Sequence, residues 1–352
     1  MRIGIVGFPQ VGKTSLLKIL TAVPVAHIGV ASVPDSRLAE LAKLYQPKKV
    51  TYAQLEYLDG AALMNEPEKD AAALAHYRQV EGLAHVVRIF PAPAVAHLLG
   101  GINPARDIAS LETELLLVDL DTANKRLERL TRELKKVRTP EMEQEHAGLN
   151  KCREYLARET PLRAVSWNEE EQRLLRGFMF FTAKPMLYVL NVGDDEAAEV
   201  DHVAEKYGLA KLAGQPAVGI TAICGKIEAE LAELEEAEAA EFLASYGLHE
   251  SARLRVLQKS VAVLNLISFF TVSEPECRAW LVPRGTPVVK AAGLVHSEFE
   301  QRFVKAEVIP WNELVACGGL AGAREQGRIR LEGKDYPVVD GDVIYIRHTA
   351  HK

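Results

Sequence analysis

The 352-residue chain is 48 % apolar and 26 % charged, ordinary proportions for a globular protein, and its length predicts roughly two or three domains. A formal net charge of −6 excludes a chain-wide basic field, so sequence-specific DNA binding is not expected and any nucleic-acid contact must be a local patch. No stretch approaches about 18 apolar residues, no secretory signal opens the chain, and Cys152, Cys224, Cys277 and Cys317 lack disulfide or zinc spacing; the expectation is a cytoplasmic protein with reduced thiols and no membrane contact.

The first element read from the amino terminus is a short buried strand, Ile3-Gly4-Ile5-Val6. It runs into Gly7-Phe8-Pro9-Gln10-Val11-Gly12-Lys13-Thr14, which fits G-x-x-x-x-G-K-[ST], and then into a helix beginning at Ser15. This strand–loop–helix context is what gives the motif its chemistry. Gly7 and Gly12 let the backbone turn tightly and approach an anion without a Cβ in the way. The amides of Gly7, Pro9 to Gly12, Lys13, Thr14 and Ser15 (proline excepted) form an anion nest, and the helix adds its positive end. The motif places Lys13 on the β- and γ-phosphates of a nucleoside triphosphate and the Thr14 hydroxyl on Mg²⁺.

Further strands are predicted at Leu55–Asp59, His85–Phe90, Pro185–Asn191 and Ala217–Thr221. Apolar runs of this kind, separated by helices, predict an α/β fold with a parallel sheet covered on both faces. Residues 101–165 interrupt it. Leu116, Leu120, Ala123, Leu127, Leu130, Leu134 and Val137 step by 4, 3, 4, 3, 4 and 3, an a/d seam over about three heptads. Thr139-Pro140 breaks the helix, and a second stretch with Met142, Leu149, Cys152 and Leu156 folds back on it. The pattern fits a projecting hairpin whose first arm is roughly 40 Å long, or a helical layer lying flat on the core.

The first arm is basic. Lys125, Arg129, Arg132 and Lys136 share one face, and seven basic residues fall between Lys125 and Arg138. That is either a solvated face or a contact with RNA phosphates. Residues 227–242 read as an acidic, solvated helix. From about Phe270 the pattern changes to strands at Arg278–Val282, Val304–Ile309, Arg328–Leu331 and Asp342–Ile346 with a short helix over 287–293, a small mixed sheet crossed by a helix.

Taken together, the chain resembles the YchF-type, Obg-like P-loop NTPases over nearly its whole length. The most specific stretches are Lys226–Leu234, Arg278-Ala279-Trp280, Leu331–Tyr336 and Asp340-Gly341-Asp342-Val343. The resemblance implies a Ras-like P-loop sheet over 1–100 and 166–268, an inserted coiled-coil hairpin over 101–165, and a ubiquitin-like β-grasp TGS domain over 269–352. It also implies association with the ribosome or structured RNA.

Carried over residue by residue, the resemblance places Asn191 and Asp194 at the base-reading segment, where Val192 replaces the lysine of a guanine-selective Asn-Lys-x-Asp. Cys224, Gly225 and Lys226 form the second base-contacting segment. ATP and GTP stay open: the Asp194 carboxylate suits guanine N1–H and N2–H, whereas the family pattern implies tolerance of ATP. The switch line reads Asp59-Gly60-Ala61-Ala62-Leu63. Asp59 would hold Mg²⁺ through water, and Leu63 matches the family's apolar replacement of the water-positioning glutamine. Ala62 stands where a glycine would offer its amide to the γ-phosphate, a cost on the order of 1 kcal/mol if that contact needs φ > 0. The connection from Ala22 to Pro34 is short, with Ser32 as its sole hydroxyl. Three functions stand: a weak ATPase or GTPase gating a ribosome contact, a hydrolysis-deficient nucleotide-binding module, or a nucleotide-independent RNA-binding scaffold.

Overall fold

The computed structural model describes residues 1–21, 27–60, 74–92, 97–231, 234 and 236–349. Ala62 and Leu63 lie outside them. In chain order the elements that matter here are β1 (Arg2–Val6), α1 (Lys13–Leu20), β2 (Ile28–Val33), α2 (Ser36–Tyr45), β3 (Lys49–Thr51), β4 (Ala53–Asp59) and β5 (Gly82–Arg88). They continue as α3 (Pro104–Leu134), α4 (Pro140–Ala157), α5 (Glu169–Phe178), β6 (Met186–Asn191), β7 (Val218–Ile223), α6 (Gly225–Leu231) and α7 (Ala252–Val263). The carboxyl-terminal part holds β8 (Leu266–Val272), β9 (Glu276–Pro283), α8 (Val288–Val295), β10 (Phe303–Pro310), β11 (Arg330–Glu332) and β12 (Asp342–His348).

The chain divides into two units, Met1–Val30 with Glu56–Val263, and Ala31–Leu55 with Leu264–Lys352. In the first, the strand order is β2-β4-β1-β5-β6-β7. β4, β1, β5, β6 and β7 are all parallel. Every residue of β5 and β6 is buried, which is why those strands read as mainly apolar runs rather than alternating ones, with His85, Arg88 and Asn191 as the buried polar exceptions.

The helical insert is a hairpin. α3 is capped by Asn103, whose side chain accepts the Arg106 amide, with Pro104 in the first turn; Thr139 caps α4 through the Met142 amide, with Pro140 next. Leu116, Ala123, Leu127 and Leu130 are buried against Leu149, Cys152 and Leu156, with Leu162, Leu175 and Phe180 closing the base. The seam is shorter at its far end than the sequence pattern suggests. α3 stops at Leu134, and Val137 is 61 % exposed in the turn, because the caps of α4 need extended backbone at Thr139. Burial among apolar side chains pushes the Cys152 thiol up to about 12, so it stays a packing group.

The acidic stretch is not wholly solvated. α6 ends at Leu231, and Glu228 within it is buried and accepts the Ala252 amide at 2.6 Å, capping α7 from a distance. Burial raises its pKa.

The second unit is a mixed sheet in the order β11-β10-β12-β8-β9-β3. Phe269, Val288, Ala291, Ala292, Val308 and Ile344 form one core cluster with α8. Residues 31–55, which the sequence assigns to the nucleotide-binding domain, group here instead. β3 pairs in parallel with β9 through Lys49–Glu276, Val50–Cys277 and Thr51–Arg278, and Leu38 and Leu41 of α2 are buried with Phe270, Cys277 and Val343. The unit also begins at Leu264, ahead of the residue 269 boundary. No helix among the described residues is long and apolar enough to cross a membrane.

Candidate nucleotide site

The site forms at the carboxyl ends of the parallel strands of the first unit, where successive strand–helix loops converge. The loop after β1 supplies the first wall. Gly7 has φ +146° and Gly12 φ +102°, both in the region that favours glycine. A Cβ on Gly7 would lie 2.7 Å from the Val86 carbonyl oxygen. Gly12 is the N-cap of α1, and its carbonyl accepts the Leu16 amide at 2.9 Å. Lys13 is buried, and its Nζ donates to the carbonyls of Gly7 at 3.0 Å and Phe8 at 2.9 Å. Burial lowers its pKa while the Asp59 carboxylate holds it up. An ammonium pinned over a loop of main-chain amides by two neutral carbonyls is set to meet an anionic group there.

β4 brings the second wall. The Thr14 hydroxyl donates to Asp59 Oδ2 at 2.9 Å. Asp59 is buried and its other oxygen, Oδ1, has no hydrogen-bond partner among the described residues. A desolvated carboxylate oxygen left bare is costly unless something of positive charge is supplied to it.

β6 and the loop before α6 bring the third. Asn191 is buried at the end of β6; its Nδ2 donates to the Val11 carbonyl at 3.0 Å and its Oδ1 accepts the Gly225 amide at 3.2 Å. One side chain thus joins the loop after β1 to the loop before α6. Asp194 is ion-paired with Lys226 and accepts from the Cys224 thiol at 3.5 Å. The Lys226 hydrogen bond is the main reason the Asp194 pKa is lowered.

A cavity of about 1050 Å³ runs between these walls. Of the residues that the sequence singles out, Gln10, Gly12, Lys13, Thr14, Ser15, Asn191, Asp194, Gly225 and Lys226 line it. Gly7, Pro9, Val11, Cys224 and Asp59 are not among its lining: Gly7, Val11, Cys224 and Asp59 are buried, and Pro9 is half-buried. Phe90 and Pro91 also line the cavity and were missed from sequence. They follow β5 one residue on, and β5 lies between β1 and β6, so the convergence of loops at parallel strand ends was the signal that would have found them.

The basic face of α3 lies in the same unit. Lys125, Arg129 and Arg132 on α3 are exposed, as is Lys136, which lies in the turn past the helix end at Leu134 and so does not continue their helix face as the spacing predicts. Lys125 pairs with Asp121 at 2.7 Å, and Arg126 beside it pairs with Glu145 of α4 at 2.7 Å. Arg129, Arg132 and Lys136 have no ion pair among the described residues.

Three comparisons bear on this arrangement. The family model YchF-GTPase_C, described as a protein of unknown function (DUF933), matches residues 266–349. The chain is 36 % identical to the ribosome-binding ATPase YchF of Bacillus subtilis (strain 168) over 99 % of each. It is 34 % identical to the ribosome-binding ATPase YchF of Escherichia coli O157:H7 over 97 % of each. Among solved structures it is similar to the Schizosaccharomyces pombe YchF GTPase, with a TM-score of 0.84 and 26 % identity over 99 % of this chain and 97 % of that one. Full-length identity at this level, on a P-loop sheet carrying a helical hairpin and a carboxyl-terminal mixed sheet, places this chain in the YchF family.

Proposed function

We propose that this protein is a nucleoside-triphosphate hydrolase that binds ATP in preference to GTP, turns it over slowly, and uses the nucleotide to control attachment to the ribosome. The observation that carries the reading is the single cavity reaching from Lys13 and Thr14 to Asn191, Asp194 and Lys226, with room for a whole nucleotide. Relatives named as ribosome-binding ATPases support the ribosome as partner and hence a cytoplasmic location.

Mg²⁺ fits the Thr14–Asp59 corner. The Thr14 hydroxyl and the bare, buried Asp59 Oδ1 are hard oxygen donors of the kind it takes. When bound, it neutralises charge on the phosphates. The Gly12, Lys13, Thr14 and Ser15 amides at the start of α1 would hold the phosphate tail, and the Lys13 ammonium would exchange its carbonyl partners for phosphate oxygens. Asn191 would keep the phosphate and base loops in register.

The preference for ATP rests on the Asp194–Lys226 pair. A guanine reader needs a carboxylate free to accept N1–H and N2–H, and here Lys226 and Cys224 already occupy it. Adenine offers an acceptor at N1, which an ammonium satisfies. Hydrolysis has little to position the attacking water: Leu63 stands in place of a glutamine and Ala62 in place of a glycine, so slow turnover that depends on the ribosome or on the substrate's own phosphate is expected. The same two residues favour the second reading, a nucleotide-binding module without useful hydrolysis. Arg129, Arg132 and Lys136 are proposed as contacts to ribosomal RNA phosphates, and the carboxyl-terminal unit as a TGS domain.

Single-turnover phosphate release, measured with and without ribosomes, tests the reading. Release well above a Lys13→Ala control is expected; release equal to that control leaves only the binding module.

A further inference from the structure

The corner that holds Thr14 and Asp59 leans on a side chain outside every motif. Tyr77 is 1 % exposed, and its hydroxyl donates to the Ile5 carbonyl in β1 at 2.8 Å. The same phenolic oxygen packs against Gly60, next along the chain from Asp59. The ring occupies space that side chains at two glycines would need. A Cβ on Gly60 would stand 2.2 Å from the Tyr77 hydroxyl oxygen, and a Cβ on Gly4 would stand 2.4 Å from Cδ1. Neither glycine has a positive φ, so it is the tyrosine, not the backbone, that requires them.

We propose that Tyr77 is a positioning residue for Mg²⁺-dependent nucleotide binding. Bonded to the Ile5 carbonyl and packed on Gly60, it fixes the end of β4, and so holds Asp59 at the height where its carboxylate meets Thr14. The inference rests on the assignment of Thr14 and Asp59 to Mg²⁺ made above. Outer groups that orient a metal's ligands commonly matter about as much as tenfold or more in affinity. Tyr77 is built for that role: its hydroxyl is bonded to β1 and its ring is fully buried, with no freedom to leave.

Tyr57 provides the comparison. It lies on β4 two residues before Asp59, is also fully buried, and donates its hydroxyl to Ser260 at 2.8 Å. It therefore loses the same kind of buried hydrogen bond when changed to phenylalanine, but has no hold on Gly60.

The experiment measures the affinity of a fluorescent ATP analogue with Mg²⁺ and with EDTA, and takes the ratio, for the wild type, Tyr77→Phe and Tyr57→Phe. Thermal unfolding is recorded alongside. Tyr77→Phe is expected to keep the wild-type affinity in EDTA and to lose about tenfold of the Mg²⁺-dependent gain. Tyr57→Phe is expected to unfold earlier with the gain intact. If Tyr77→Phe does not fold, Gly60→Ala, whose Cβ must push the phenol away, is expected to lose the same gain. A wild type with no gain from Mg²⁺ overturns the magnesium assignment itself. A wild-type gain that Tyr77→Phe, or Gly60→Ala in its place, fully retains overturns the role of Tyr77 alone.

Discussion

The Asn191 amide stands where a side chain on Gly12 would have to go: a Cβ added there would lie 2.4 Å from Nδ2. Gly12 also sits at φ +102°, so alanine is strained at this position whatever the space around it. Gly12→Ala is therefore expected to abolish nucleotide binding while the rest of the fold survives. Asn191→Ala removes the bonds to Val11 and Gly225 and is expected to cost about 1–3 kcal/mol of stability and at least tenfold in nucleotide affinity. Chemical denaturation and a binding titration check both.

Lys226 is expected to decide the base. Lys226→Ala frees the Asp194 carboxylate for guanine, so the preference is expected to move towards GTP by roughly fivefold or more, an energy near 1 kcal/mol. Parallel titrations of ATP and GTP read it. Unchanged relative affinities would mean that the ion pair does not face the base.

His85, beneath the phosphate loop, is expected to make the protein acid-sensitive. It is fully buried, its Nδ1 has no hydrogen-bond partner among the described residues, and burial, helped by the Lys13 charge, pushes its pKa down to about 3. The unfolded chain binds the proton near pH 6.5, the folded chain only near pH 3, so the unfolded state holds more protons between those values and stability falls as pH falls through that window. Between pH 6.5 and pH 5 the loss attributable to this one group is about 2 kcal/mol. His85→Phe is expected to flatten that part of the stability curve, measured by denaturant unfolding across pH.

These predictions separate what was local in the sequence from what was not. The phosphate loop was legible because its glycines, lysine and threonine act within one strand–loop–helix unit, and the hairpin because its seam is periodic. The contribution of residues 31–55 to the second sheet was not, since β3 is only three residues long and its partner β9 lies more than two hundred residues away. The same holds for Phe90 and Pro91, which carry no motif and enter the cavity through strand order alone. Glu228 looked like one more acid in a solvated run, and only the position of α7 turns it into a cap.

The basic residues of α3 and of the turn after it are expected to matter for the ribosome and not for the nucleotide. Reversing Arg129, Arg132 and Lys136 together to glutamate should weaken co-sedimentation with ribosomes strongly at low salt and leave ATP affinity unchanged, since phosphate contacts are screened by salt. Arg126→Ala, by contrast, breaks a pair between the two arms at Glu145 and is expected to loosen the hairpin, seen as faster amide exchange in α4.

The central claim is that Lys13 and the surrounding amides grip a triphosphate in the cavity that ends at Asn191 and Gly225. Calorimetric titration of the folded protein with Mg²⁺–ATP, beside Lys13→Ala, tests it most directly. The account predicts saturable one-to-one binding for the wild type and a loss of at least a hundredfold for the variant, about 3 kcal/mol. Equal heats for the two proteins, or none from either, would contradict it.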